Sequence, residues 1–293
     1  MSEQGSLHFT QPHHRQHCYE VTHAGNSPAF PRSGLIDTHI HLDQYSSEQQ
    51  ADMISQMDAA GVQALLSVSM HLASSRSNLA LAQQYPGKVL PAFGYHPEQA
   101  LPTTDELEEL FHWIEQHQDH MIAVGEVGLP YYLAQEKAAQ GELFDRTGYI
   151  ELLEQFVMLA ARCHKPIILH AVYEDAEIAC DLLEKYQIQQ AHFHWFKGDR
   201  TTVQRMAANG YYISFTPDIV YEEEIQALAL QYPPHLVMSE TDGPWPFEGP
   251  FAGQTTSPWM VSEVIRTYSR LRGMQELEAR VLFHTNACRL YGL

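Results

Sequence analysis

Two histidines one residue apart, His39 and His41, close an apolar run that reads LIDTHIHLD. If the run is a strand, both side chains leave the same face, because strands alternate with period two, and two imidazoles can then meet one ion. A lone HxH is explained equally well by a pair of polar core residues. The pattern does not stay alone. VGEVG sets Glu126 between glycines, where backbone and ligand can approach closely, and a buried carboxylate there must be paired or bound to a metal. PIILHAV ends an apolar run on His170. AHFHWFKG puts His192 and His194 on one face, and VMSETDGP does the same for Glu240 and Asp242. The combined set His39, His41, Glu126, His170, His194 and Asp242 offers nitrogen and oxygen donors for two divalent ions, with Glu126 suited to bridge them. Two adjacent cations lower the pKa of a water, hold an electrophile's oxygen and stabilise a leaving group, which is the chemistry of hydrolysis. Asp242 is expected both to ligate and to take the water's proton. Four imidazoles suit Zn, Mn, Fe or Co, and Mg matches them less well.

Residues so far apart in the chain meet only if the elements carrying them share one end of a sheet. Short apolar runs recur at Leu35 to His41, Gln63 to Ser69, Val89 to His96, Ile122 to Gly128, Pro166 to Val172, Gln190 to Phe196, Tyr211 to Thr216 and Leu236 to Thr241. Between them lie helical patterns at Ser46 to Ala60, Ser74 to Tyr85, Thr104 to His117, Asp145 to His164, Tyr173 to Tyr186, Thr201 to Asn209, Glu222 to Gln231 and Pro258 to Arg272, with a last one at Met274 to Cys288. Thr103 before Asp105 and Glu106 is a helix start, and Gly61 a helix stop. Eight alternations predict an α/β chain closed as a single (β/α)8 TIM-type barrel, which exposes its catalytic residues at the C-terminal ends of the strands. Leu129 to Gly141 reads as an elongated loop. Gly243 to Pro258 reads as another, over the mouth, whose Trp245, Phe247 and Phe251 either stack on bases or pack on the rim.

Composition narrows the classes further. The 293 residues, 44% hydrophobic, suffice for one barrel domain over 34–293. Residues 1–33, with His8, His13, His14, His17 and His23 in a polar, aperiodic segment, read as a flexible or peripheral extension. Seventeen Lys and Arg against 36 Asp and Glu give a formal charge of −19, which works against generic binding to phosphate backbones. A bound cation reverses the sign inside a cleft, so a phosphate ester stays open as a substrate. Cys18, Cys163, Cys180 and Cys288 form no CxxC pair, as expected for a reduced, cytoplasmic protein. No run is long and apolar enough to span a bilayer, and no protein partner can be inferred.

The succession DTHIHLD, GYHP, GEVGL, ILHAV, HWFKG and SETDGP, with NACRLYGL at the end, resembles the TatD family of metal-dependent deoxyribonucleases among the amidohydrolase-like barrels. The resemblance runs from about Leu35 to the C-terminus. It implies a two-metal phosphodiesterase acting on DNA, with single-stranded DNA or a small phosphodiester at the site, and it matches His39, His41, Glu126, His170, His194 and Asp242 to the family's ligand positions. It favours His194 over His192, since the family's histidine stands just before the aromatic and glycine turn, and leaves His192 and Glu240 in supporting positions. His96 falls where the family has a histidine close to the substrate. The chain differs from the family's pattern at Val172, where an arginine is usual, and at Pro130, so Lys197 is the expected phosphate contact. An amide, lactone or other ester substrate of the wider amidohydrolase group is the second reading, and a non-catalytic barrel the third.

Overall fold

Every one of the eight apolar runs forms a strand: β1 (Leu35–Ile40), β2 (Val62–Ser67), β3 (Val89–Phe93), β4 (Ala123–Gly128), β5 (Ile167–His170), β6 (Ala191–Phe193), β7 (Tyr212–Phe215) and β8 (Val237–Ser239). The computed structural model describes residues 34–293, so the expected extension over 1–33 lies outside the described residues. All neighbouring strands in the order β1 to β8 are parallel. Strands packed on both faces read as near-continuous apolar runs, which is why β4, AVGEVG, and β1, LIDTHI, are buried at every position. The seam between last and first strand closes at the C-terminal ends. There the Asp242 N–H donates to the His39 carbonyl at 2.9 Å and the His41 N–H to the Gly243 carbonyl at 2.7 Å. Eight strands closed in this way, with helices between them, are a TIM-type barrel.

The helices are α1 (Ser47–Ala60), α2 (Leu72–Gln84), α3 (Thr104–His117), α4 (Tyr131–Ala139), α5 (Thr147–Cys163), α6 (Glu174–Lys185), α7 (Arg200–Ala208), α8 (Glu223–Gln231), α9 (Val261–Arg272) and α10 (Glu276–Tyr291). Capping boxes at Ser46 with Gln49 and at Thr103 with Glu106 start α1 and α3. Gly61, at φ 73°, ends α1 in the left-handed conformation that a side chain would strain. Phe156 and Val157 of α5 pack with Phe93, Phe193 and Phe215 in one continuous core. Among the described residues no helix is long and apolar enough to cross a membrane.

One expectation is corrected. Leu129 to Gly141 is not a loop throughout, since Tyr131–Ala139 is helical. The sequence YYLAQEKAA lacks apolar periodicity, but Leu, Ala, Gln, Glu and Lys are strong helix formers. Pro130 precedes the first turn, where its missing N–H costs nothing, and the Glu98 carboxylate accepts the free N–H groups of Tyr132 at 2.8 Å and Leu133 at 2.7 Å. The last helix also starts later and runs further than Met274 to Cys288, ending on Tyr291.

Candidate metal centre

All the strands but β4 stop short of the apolar runs, and the residues just beyond them turn over the barrel mouth. His41, His96, His194 and Asp242 all occupy such positions, while His39, Glu126 and His170 sit within the last turns of β1, β4 and β5. The glycines beside Glu126 prove to serve packing between strands. A Cβ on Gly128 would lie 1.9 Å from the His170 carbonyl oxygen, and one on Gly125 2.7 Å from the Ile168 Cβ. The Gly125–Glu126 peptide is cis.

The two oxygens of Glu126, a fully buried side chain, divide the histidines between them. His39 Nε2 stands 3.0 Å and His41 Nε2 3.2 Å from Oε2, and the same nitrogens lie 3.3 and 3.5 Å from Asp242 Oδ1. Around Oε1 are His194 Nε2 at 2.7 Å, His170 Nδ1 at 3.1 Å and, nearer the solvent, His96 Nε2 at 3.3 Å. The structure thus brings His39, His41, Glu126, His170, His194 and Asp242 into one cluster. His39 Nε2, Glu126 Oε2 and Asp242 Oδ1 are buried without a hydrogen-bond partner. Polar atoms so placed are costly unless something satisfies them. A divalent cation fits this donor set: His39, His41 and Asp242 each present one atom, all within 4.8 Å of one another, and so do Glu126, His170 and His194.

The electrostatics agree. Burial works to raise the Glu126 carboxyl, but His194, His96 and His39 hold it well below the usual range, and Asp242 is lowered in the same manner by His39 and His41 against its own burial. Burial opposes charge on His41 too, yet the Asp242 and Glu126 carboxylates outweigh it and push it up to about 10. These ionised acids face imidazole nitrogens, an arrangement that draws a cation of some kind between them.

His192 takes no part in the cluster. Its nitrogens lie against Tyr291 Oη at 2.7 Å and Ser214 Oγ at 2.6 Å, and burial holds it well below the ordinary histidine range. Glu240 stands behind His194, with Oε1 3.6 Å from His194 Nδ1. Lys197 Nζ lies 4.0 Å from Asp218 Oδ2 and 5.4 Å from the centre of the Trp195 ring, which shares its charge before any ligand does. Phe247 and Phe251 pack with Met260 in a small apolar cluster on the rim, whereas Trp245 remains half exposed.

Several residues of the site gave no motif. Glu98, two residues beyond His96, meets His170 Nε2 at 3.1 Å through the same oxygen that caps α4. A carboxylate directly after a strand-end histidine was the available signal. Tyr132, half exposed on α4, places its ring 6.0 Å from that of His170, and only the correct helix assignment puts it there. Asp37, buried under the cluster, accepts the Thr241 N–H at 3.0 Å and so ties β1 to the turn that carries Asp242.

A family model described as TatD related DNase matches residues 36–292. The chain belongs to that family. A protein from Haemophilus influenzae described as an uncharacterized metal-dependent hydrolase is 42% identical over 215 residues, 73% of this chain and 83% of that protein. The human protein named deoxyribonuclease TATDN3 is 27% identical over 266 residues, 88% of this chain and 94% of that one. Among solved structures, the TatD homolog YjjV from Escherichia coli superposes with a TM-score of 0.77 at 24% identity, covering 90% of this chain and all of that one, which shows the same fold. As a TatD-family member the chain is a metal-dependent hydrolase.

Proposed function

We propose that the chain hydrolyses phosphodiester bonds in DNA, taking single-stranded DNA or a small phosphodiester at the barrel mouth, with two divalent ions at the cluster. The observation that carries this is the division of donor atoms between the two oxygens of Glu126. His39, His41 and Asp242 would hold one ion, His170 and His194 the other, with Glu126 common to both. Zn, Mn, Fe or Co suits these ligands better than Mg. Such ions, when bound, supply Lewis acidity that activates water at neutral pH and balances charge on the ester oxygens.

The chain's own groups do the rest. Asp242, at the mouth and held ionised, takes the proton of the attacking water. Glu126 keeps the two halves of the cluster in fixed relation. His96, on the solvent side of Glu126, and Lys197 contact the phosphate. The DNase description of the family and the name of the human relative support DNA as the substrate. The free thiols Cys163, Cys180 and Cys288 support a reducing, cytoplasmic setting.

The test is to quantify metals in purified protein, then to assay single-stranded oligonucleotides and a chromogenic phosphodiester with added Mg, Mn or Zn. Two equivalents of metal and metal-dependent cleavage are expected. In Asp242→Asn, turnover should fall about 10²- to 10⁴-fold while metal stays bound. Bound metal with neither substrate cleaved would move the assignment to an amide or lactone, and protein without affinity for metal would overturn it.

A further inference from the structure

A line of hydrogen bonds crosses the barrel interior beneath the cluster and ends on α10. Tyr291 Oη lies 2.7 Å from His192 Nδ1, His192 Nε2 lies 2.6 Å from Ser214 Oγ, and Ser214 Oγ lies 2.6 Å from Glu240 Oε2. Glu240 Oε1 accepts the Trp195 N–H at 2.6 Å and faces His194 Nδ1. All of these residues except Trp195 are buried.

Counting protons orders the line. A hydroxyl has one proton to give, and Glu240 Oε2 is supplied only if Ser214 gives its own to that carboxylate. Ser214 must then accept, so His192 carries its proton on Nε2. The bare Nδ1 of His192 in turn accepts from Tyr291. The reverse order would leave Glu240 Oε2 buried without its donor, a costly state for a carboxylate. Every donor therefore points towards Glu240.

We propose that Tyr291, acting through His192 and Ser214, positions Glu240 as the fixed acceptor behind His194, so that the C-terminal helix sets how tightly the cluster holds metal. His194 Nδ1 is buried without a hydrogen-bond partner, and Glu240 Oε1 at 3.6 Å is the acceptor it faces. With Nδ1–H directed at Glu240, the lone pair of His194 is on Nε2, the atom that faces Glu126 at 2.7 Å. His39 stacks on His194 with ring centres 3.9 Å apart, and a nitrogen of each lies within 4.8 Å of a Glu240 oxygen. That grouping resembles a third ion site. Yet both Nε2 atoms face Glu126, and a neutral imidazole that ligates through Nε2 keeps its proton on Nδ1, so Glu240 meets donors. Tyr291, His192 and Ser214 are positioning residues, since none reaches the place where ester and water meet.

The inference rests on the two-ion reading of the cluster, and the test keeps the two apart. Long-range nitrogen–proton spectra of the imidazoles in the full-length, metal-free protein report tautomers directly. His192 is expected with its proton on Nε2, and a proton on Nδ1 would overturn the relay whatever any variant does. Calorimetric titration with zinc alone then compares wild type with Tyr291→Phe, which removes one hydroxyl and keeps the ring. One of two zinc sites should weaken about tenfold, and Glu240→Gln should weaken it further, up to about 100-fold. Unchanged affinity at both sites in Tyr291→Phe overturns the proposal, as does a third zinc equivalent that Glu240→Gln removes. Should Tyr291→Phe fail to fold, Ser214→Ala breaks the same line at its middle and carries the same expectation. A wild type that takes up no zinc defeats the two-ion reading, while the His192 tautomer still decides the relay.

Discussion

His41 shows how a single residue couples the centre to pH. The facing carboxylates of Asp242 and Glu126 outweigh burial and raise it to about 10, so at pH 7 the metal-free imidazole holds a proton. A ligating imidazole must be neutral, and an entering cation has to displace that proton. The sign follows: affinity rises with pH through neutrality towards the raised value and falls as the medium becomes acidic. Zinc titrations at pH 7 in buffers of different ionisation enthalpy should show release of about one proton or more, and no release would contradict this account. The residues of the cluster were legible in the sequence because each stands at or near the end of an apolar run, so type and position together spoke for them. Glu98 and Tyr291 were not. Glu98 follows GYHP but is oriented by the N–H groups of a helix more than thirty positions on, and Tyr291 meets His192 from a helix 99 positions further along the chain.

At the scale of elements, α4 and the proposed metal centre share one carboxylate. Glu98 accepts from two N–H groups of the helix and also touches His170, so Glu98→Ala should act twice. Urea unfolding of metal-free protein should show a loss of about 1 kcal/mol, the usual size for a lost helix cap. Zinc affinity at the His170 side should fall about tenfold. Loss of stability without any change in affinity would confine Glu98 to capping. Periodicity found all eight strands and nine of the helices because each buries a face against its neighbours. It passed over α4 because that helix buries little, with Ala134 its one buried residue, and is held by propensity and a remote cap. Strand ends were set too long for a related reason. The last positions of every run but the fourth leave the sheet to line the mouth, and hydrophobicity does not mark where pairing stops.

For the molecule as a whole, a formal charge of −19 and a mouth whose Lys197 is already shared with Asp218 leave little for a long phosphate backbone to hold. Single-stranded DNA should therefore bind with a shallow salt dependence. About one or two phosphate contacts give a slope near −1 in a plot of log affinity against log salt, and a slope of −4 or steeper would reveal a basic surface not seen here. The closure of the barrel carries a different consequence, one of timing. β1 meets β8 through the backbone of His39, His41, Asp242 and Gly243, so the residues proposed to hold one ion come from both edges of the seam. On the ribosome, His39 and His41 emerge about two hundred residues ahead of Asp242. They wait through the synthesis of seven further strands before that second carboxylate exists. On the proposed two-ion reading, that half of the cluster takes up metal only at the end of the chain's biogenesis, and a chain cut short before Thr241 leaves His39 and His41 facing Glu126 without their second carboxylate.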